Sequence, residues 1–293
     1  MPKTSLANPP RDPERARDAH EMQCMEVWGG NRAISSGISI PGVDAWIYCQ
    51  PFRAQSSGGD IHYVSMCGQG RIGRFMLADV AGHGDEVDQT AIALRNLMRK
   101  SVMRLDQTLI ARGLNRQFWQ LRVKGLFATA VILTYFAPTD QIICCLAGHP
   151  RPLLYRAQTG KWSLLSEPQG TETSIVHGLP LGIISKTQYR QFAITLGQGD
   201  LIVAYTDALI EARGEDDEML GEKGLLALVE SMRVGVPAHF GLNLIEAVDR
   251  ASGASPESRD DDLTVLVLHH NARNPAPISL SHRLRMMIKM MGL

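Results

Sequence analysis

From Val43 onward the chain is punctuated by short runs in which β-branched and aromatic residues dominate: VDAWIYCQ, IHYVSM, RFMLADV, FATAVILTYF, QIICCLA, PLLYR, QFAITL, LIVAYTD and LTVLVLHH. Runs of this length and composition predict strands, about nine in all. Most are separated by links of hairpin length holding Gly, Asp or Pro, such as APTD after Phe136 and GQGD after Leu196, so the pairing is expected to be mainly antiparallel. Two longer stretches break the pattern. Ala91, Leu94, Leu97, Met98 and Val102 recur at helical spacing across residues 86–105, with a second helix following over 107–123; Leu225, Leu228 and Val229 do the same across 222–232, followed by 240–251. Helical pairs set among antiparallel strands predict helix layered on sheet, an α+β fold, and the absence of regular strand–helix alternation argues against a doubly wound parallel sheet.

Outside these elements, residues 1–20 mix Pro, Arg, Asp and Asn without apolar periodicity, which predicts a mobile N-terminal arm. The segment has charge and proline where a secretory signal would be apolar, so a cytoplasmic location is expected. The longest apolar runs, 127–137 and 201–210, fall short of the roughly 20 residues of a membrane-spanning helix. Thirty Lys and Arg balance thirty Asp and Glu, leaving no overall field of the kind that holds nucleic acid. Residues 271–293 form a basic, Met-rich tail: no acid follows Asp262, whereas Arg273, Arg283, Arg285 and Lys289 do, and Leu280, Leu284, Met287 and Met291 share one helical face. That pattern predicts a terminal helix docked on its own domain, or an adaptable surface for a partner or lipid headgroups.

Five cysteines, Cys24, Cys49, Cys67, Cys144 and Cys145, include no CxxC pair and read as reduced thiols, mostly in the core. Gly68, Gly70 and Gly73 match GxGxxG, the dinucleotide fingerprint. They lead into a strand-like run and not into a helix whose N-terminus could take a pyrophosphate, so a glycine-rich hairpin loop is expected.

The acids are more informative. Asp60 opens one predicted strand, Asp79 closes another, Asp207 closes LIVAYT, and Asp260, Asp261 and Asp262 open the last. A single Asp beside a turn is ordinary turn chemistry. Carboxylates converging from several strand ends would repel and raise one another's pKa unless something positive lay between them. GlyGlyAsp at 58–60, AspValAlaGlyHisGly at 79–84, AlaGlyHisPro at 147–150, GlyLeuProLeuGly at 178–182, TyrThrAsp at 205–207 and AspAspLeuThr at 261–264 form a collinear series. The series resembles the type 2C metal-dependent Ser/Thr protein phosphatases, the PPM family, in their bacterial SpoIIE/RsbU branch.

The resemblance spans roughly residues 40–270 and implies a phosphatase domain over 21–270 with a four-layer αββα sandwich, two mainly antiparallel sheets flanked by helical pairs. It further implies two divalent cations, Mn²⁺ or Mg²⁺, held by Asp60, Asp79, the Val80 carbonyl, Asp207 and Asp261, with Asp79 bridging both. The four aspartates would act in catalysis through those ions and water. Arg53 and His83 are candidates for substrate contact. His83 follows Asp79 by four residues, whereas the corresponding histidine of eukaryotic relatives follows by two, and Ala208 stands where the family's ThrAspGly has Gly. Asp85, Glu86 and Asp88 are expected to complement a helix N-terminus or to add a metal contact, His149 reads as a turn residue, and His269 and His270 point to opposite faces of their strand and cannot chelate together.

The implied activity is hydrolysis of phosphoserine or phosphothreonine on a regulatory protein partner, anti-anti-sigma-like, in a partner-switching pathway. Two alternatives stay open at this point: a phosphatase-like scaffold without turnover, and a metal-dependent hydrolase of small phosphate esters. With about forty residues ahead of the first predicted strand, activation in trans is expected, by a partner or by homodimerisation through residues 20–40, where Met22, Met25, Val27 and Trp28 are apolar.

Overall fold

A computed structural model of the chain describes residues 19–23, 26–52, 55–67, 70–81, 85–100, 106–120, 127–167, 178–214, 217–253, 259 and 261–273. Most of the N-terminal arm, Cys24, Met25, Arg53, His83, Asp260 and the tail from residue 274 lie outside them, as do the side chains of Asp85, Glu86 and Asp88. The strands are β1 (His20–Glu21), β2 (Val27–Gly30), β3 (Ile34–Ile40), β4 (Val43–Gln50), β5 (Ile61–Cys67), β6 (Ile72–Val80), β7 (Ala128–Phe136), β8 (Gln141–Ala147), β9 (Leu153–Arg156), β10 (Lys161–Leu164), β11 (Gln191–Thr195), β12 (Leu201–Tyr205) and β13 (Leu263–His270). The helices are α1 (Asp85–Lys100), α2 (Gln107–Gln120), α3 (Gly221–Ser231) and α4 (Pro237–Ser252).

Two sheets result. One runs β1-β3-β4-β13-β12-β9-β10, the other β11-β8-β7-β6-β5-β2. Pairing between the named strands is antiparallel except for the short β1–β3 contact.

Alternation along each strand divides its side chains between two cores. Phe75 and Leu77 of β6 meet Val131 and Leu133 of β7, Ala45 and Ile47 of β4, and Leu266 and Leu268 of β13 in the layer between the sheets. The intervening Met76 and Ala78 face Leu94 and Met98 of α1 and Ile110, Leu114 and Phe118 of α2. On the far side, Val265 and Val267 face Leu225 and Val229 of α3 and Phe240 and Leu244 of α4, with Trp162 stacked on Phe240 at 5.1 Å. The layers are therefore helix, sheet, sheet, helix, the αββα sandwich expected. β5 is buried at every position because both its faces are covered.

Four strands escape the sequence reading, and the region ahead of Val43 is the main correction. β2 and β3 carry Gly and Ser in place of a dense β-branched run, and β10 alternates a single Trp with polar residues. Met22 is buried between the sheets, and Val27 and Trp28 pack partly against the cores, so this segment's apolar side chains are largely taken up by the domain itself. APTD closes the β7–β8 hairpin as expected. GQGD does not close one: it carries the chain from β11 in one sheet to β12 in the other. The GxGxxG segment is the β5–β6 hairpin, with Cys67 opposite Ile72 and Gly70 turning at φ +80°. The cysteines among the described residues are free and buried.

Candidate metal centre

Strand register brings the acids together. β5 and β6 pair with Ile61 opposite Ala78, so Asp60 and Asp79 come next in line as cross-strand neighbours. β12 and β13 pair with Tyr205 opposite Val265, so the chain leaving β12 at Asp207 runs beside the chain entering β13 at Asp261. The first pair belongs to one sheet and the second to the other, and both lie at the same end of the sandwich.

Hydrogen bonds tie the two halves. Thr264 N–H donates to Thr206 Oγ1 at 2.9 Å, and that hydroxyl donates to Asp60 Oδ2 at 2.8 Å, linking β13, β12 and β5 through one side chain. Asp262 makes the second tie: its carboxylate accepts the Phe52 N–H at 2.6 Å and the Gly59 N–H at 2.5 Å. A Cβ on Gly58 would strike that carboxylate, and one on Gly59 would come within 2.7 Å of the Val80 carbonyl oxygen. Two glycines are therefore required where the loop squeezes between Asp262 and β6. The AlaGlyHisPro and GlyLeuProLeuGly motifs close a neighbouring corner. Gly148 lies against the Pro180 ring, and Leu181 and Ala128 exchange backbone hydrogen bonds at 2.7 and 3.0 Å.

Carboxylates crowd one another at this end of the sandwich. Asp60 is 1% exposed and its Oδ1 has no hydrogen-bond partner among the described residues. Burial, then the charges of Asp79 and Asp262, push its carboxyl well above the usual carboxylate range. Asp79 is raised in the same way, by burial and by Asp207, Asp261, Asp262 and Glu211. Asp207 is raised by burial and by Glu211. Among the described residues no Lys, Arg or His forms an ion pair with Asp60, Asp79 or Asp207.

The structure thus gathers Asp60, Asp79, Val80, Asp207 and Asp261, and adds three residues the sequence reading did not single out. Glu211 was findable: the turn after β12 is helical, with the Glu211 N–H donating to the Asp207 carbonyl, so residues four apart share a face. Thr206 stood inside a motif with no role assigned. Asp262 looked like a spare acid, and only the fold reveals what its carboxylate binds. His149 is not part of the cluster's charge. It is buried, its Nδ1 lies 2.8 Å from Thr129 Oγ1, and burial pushes its pKa down to about 3, which keeps the ring neutral. His269 lies near Asp44 and His270 near Asp140, on opposite faces as expected.

Such a donor set, carboxylate and carbonyl oxygen with an orphaned buried oxygen at its centre, fits hard divalent cations. Among the described residues no three His, Cys, Asp or Glu side chains close around one point, so the cluster is open and not a finished cage. Openness is compatible with Mg²⁺, which keeps several of its waters and is commonly held through one or two carboxylates.

The sequence model of the Stage II sporulation protein E (SpoIIE) family matches residues 70–271. No curated protein sequence matches the chain significantly. Among solved structures, the RsbU and RsbW domains of a Mycobacterium tuberculosis protein are 24% identical, with a TM-score of 0.68, 88% of this chain and 70% of that one being covered. RsbX in complex with magnesium is 17% identical, with a TM-score of 0.57 over 80% and 99% of the two chains. The PP2C phosphatase domain of SpoIIE from Bacillus subtilis, solved with a fragment of its regulatory domain, is 17% identical, with a TM-score of 0.61 over 85% and 64%. At these identities the likeness is one of fold, and it agrees with the layers described above. The family match extends from the β5–β6 hairpin through β13, taking in Asp79, Asp207 and Asp261, and by it the chain belongs to the SpoIIE family.

Proposed function

We propose that the protein is a metal-dependent phosphatase that hydrolyses phosphoserine or phosphothreonine on a regulatory protein partner. The observation that carries this reading is the mutually repelling cluster of buried Asp60, half-buried Asp79 and Asp207, and exposed Asp261, with Asp60 Oδ1 left without a partner among the described residues. Buried carboxylates in this state are costly unless cations compensate them. Mn²⁺ or Mg²⁺ in this cluster would supply the positive charge that acidifies a water and stabilises the phosphoryl oxygens.

Asp60, Asp79, the Val80 carbonyl, Asp207 and Asp261 hold the ions in this reading, with Asp79 between the two sheets' contributions. Thr206 fixes the Asp60 rotamer through its hydroxyl, and Asp262 holds Gly59 in place beside Val80. Glu211 adds negative charge next to Asp207. No side-chain nucleophile is required, and the four described cysteines are buried as thiols. Arg53 and His83 remain the candidates for contact with the substrate phosphate.

A protein substrate, and control by a partner, are supported by the family and by the folds it shares, which include RsbU joined to RsbW. The test is turnover of a phosphoserine peptide against p-nitrophenyl phosphate, each with and without Mn²⁺. Metal-dependent release from the peptide, with weaker release from the small ester, supports the reading. Binding of the phosphopeptide without release would make the protein a scaffold, and preference for the small ester would make it a small-ester hydrolase.

A further inference from the structure

A cavity of about 400 Å³ lies beside the loop that leads to Asp60, with Ser57 of that loop in its lining. Its walls come from β2 and the turn after it (Trp28, Asn31, Arg32), from Ser57, from His62 on β5, and from Ile92 and Arg95 on α1. The backbone of Asn31 accepts the Gly58 N–H at 2.9 Å and its side-chain amide donates to the Gly58 carbonyl at 3.0 Å, so the floor is rigid.

Two polar groups of this cavity, one on His62 and one on Arg95, are unmatched among the described residues. His62 is 3% exposed, and its Nδ1 has no hydrogen-bond partner among the described residues. Arg95 Nε is also buried without one. Among the described residues neither Arg95 nor Arg32 has a carboxylate in ion-pair contact. Leaving a buried guanidinium nitrogen and an imidazole nitrogen unsatisfied is costly in the same way as at the acid centre, with the sign of charge reversed. A guanidinium's planar fork matches the geometry of a carboxylate or phosphate. Beside it, the Trp28 indole, 5.1 Å from the His62 ring, and the Ile92 side chain, 36% exposed, supply apolar surface. The volume falls within the range of small-molecule sites.

We propose that this cavity between β2, β5 and α1 is a binding site for a small organic anion, its carboxylate or phosphate group held by Arg95 and Arg32 and its flat apolar part against Trp28. The site is separate from the acid cluster and does not depend on the phosphatase reading. It is tested with phenylphosphonate, which cannot be hydrolysed, added to the full chain in chelator so that no cation at the acid cluster can take the probe. Binding is read by calorimetry and by the indole fluorescence. Saturable binding is expected, weakened about tenfold or more by Arg95→Gln and several-fold by Arg32→Gln, and unchanged in Asp79→Asn. Inorganic phosphate should bind more weakly, since it lacks the apolar part. Arg32 is exposed, so its variant carries the test if Arg95→Gln fails to fold. Absence of saturation up to about 20 mM, or equal affinity in wild type and Arg32→Gln, would overturn the proposal.

Discussion

Asp200 and Asp207 stand at opposite ends of the same strand, β12, and could hardly be treated more differently. Asp200 is buried, yet its carboxylate accepts the Ala157 N–H at 2.9 Å, the Gly197 N–H at 2.8 Å and the Arg156 guanidinium at 2.7 Å. At that same end Asp140 Oδ1 accepts the Tyr135 hydroxyl at 2.7 Å and lies 3.0 Å from His270 Nε2. At the other end Asp60, Asp79 and Asp207 crowd one another, and among the described residues no cationic side chain pairs with them and Asp60 Oδ1 has no hydrogen-bond partner. Both ends place aspartates where strands meet turns. At one end the turn itself satisfies them, which is architecture; at the other no described Lys, Arg or His pairs with Asp60, Asp79 or Asp207, the kind of perturbed acid cluster that accompanies functional sites.

The sharpest way to break this contrast is to alter one acid at each end. Asp79→Asn should lower metal-dependent turnover about a thousandfold, the rate equivalent of several kcal/mol of lost charge stabilisation, while the protein stays folded. Wild-type turnover in that variant would sink the catalytic reading. Asp200→Ala should leave turnover per folded molecule intact and cost about 3 kcal/mol of stability, because two backbone N–H groups and Arg156 lose their acceptor; urea midpoints measure it. Cation binding should separate the ends again. At a free Mn²⁺ concentration of about 100 times its dissociation constant, wild type and Asp200→Ala should both gain about 2.7 kcal/mol, reversed by chelator, whereas Asp79→Asn should gain much less.

Smaller effects follow from protonation. Asp60 and Asp79 have pKa values raised above the ordinary 3.8, so the stability they contribute is complete below that value and is lost as pH rises through the raised ones. In chelator, the stability of wild type relative to Asp79→Asn should therefore fall as pH rises from about 4 towards neutrality. At neutral pH the metal-free Asp79→Asn protein should melt roughly 2–4 °C higher than wild type, the shift that about 1 kcal/mol produces in a domain of 150–250 residues. A lower melting temperature would mean that Asp79 is satisfied by the protein after all.

Much of this was legible in the sequence, for definite reasons. The nine strands that were read carry dense β-branched or aromatic residues, most plainly β5, β6, β7 and β13, whose burial demands them. Both helical pairs were read because each buries a stripe, as with Ala91, Leu94 and Met98. β2 and β3 stayed hidden because Gly29, Gly30 and Gly37 hold strand conformation through pairing with β5 and β4, a tertiary effect that local propensity does not contain. The strand-end acids were visible as residues, but their meeting depended on the register of two separate sheets. Asp262 was illegible as a clasp because its partners, Phe52 and Gly59, lie more than two hundred positions away in the chain.

The place of β13 bears on how the protein comes into being on the ribosome. It sits between β4 and β12 in the seven-stranded sheet, although it is the last of the described strands to be synthesised. Until residues 263–270 have emerged, β4 and β12 each present an unpaired edge, and Asp60 lacks the Thr264-to-Thr206 chain that orients it. A nascent chain stalled before this point would carry two open strand edges and an unassembled acid cluster, so it would be prone to non-native pairing. The acid cluster, and the sheet that orients Asp60, can therefore be complete only when synthesis of the domain is essentially finished.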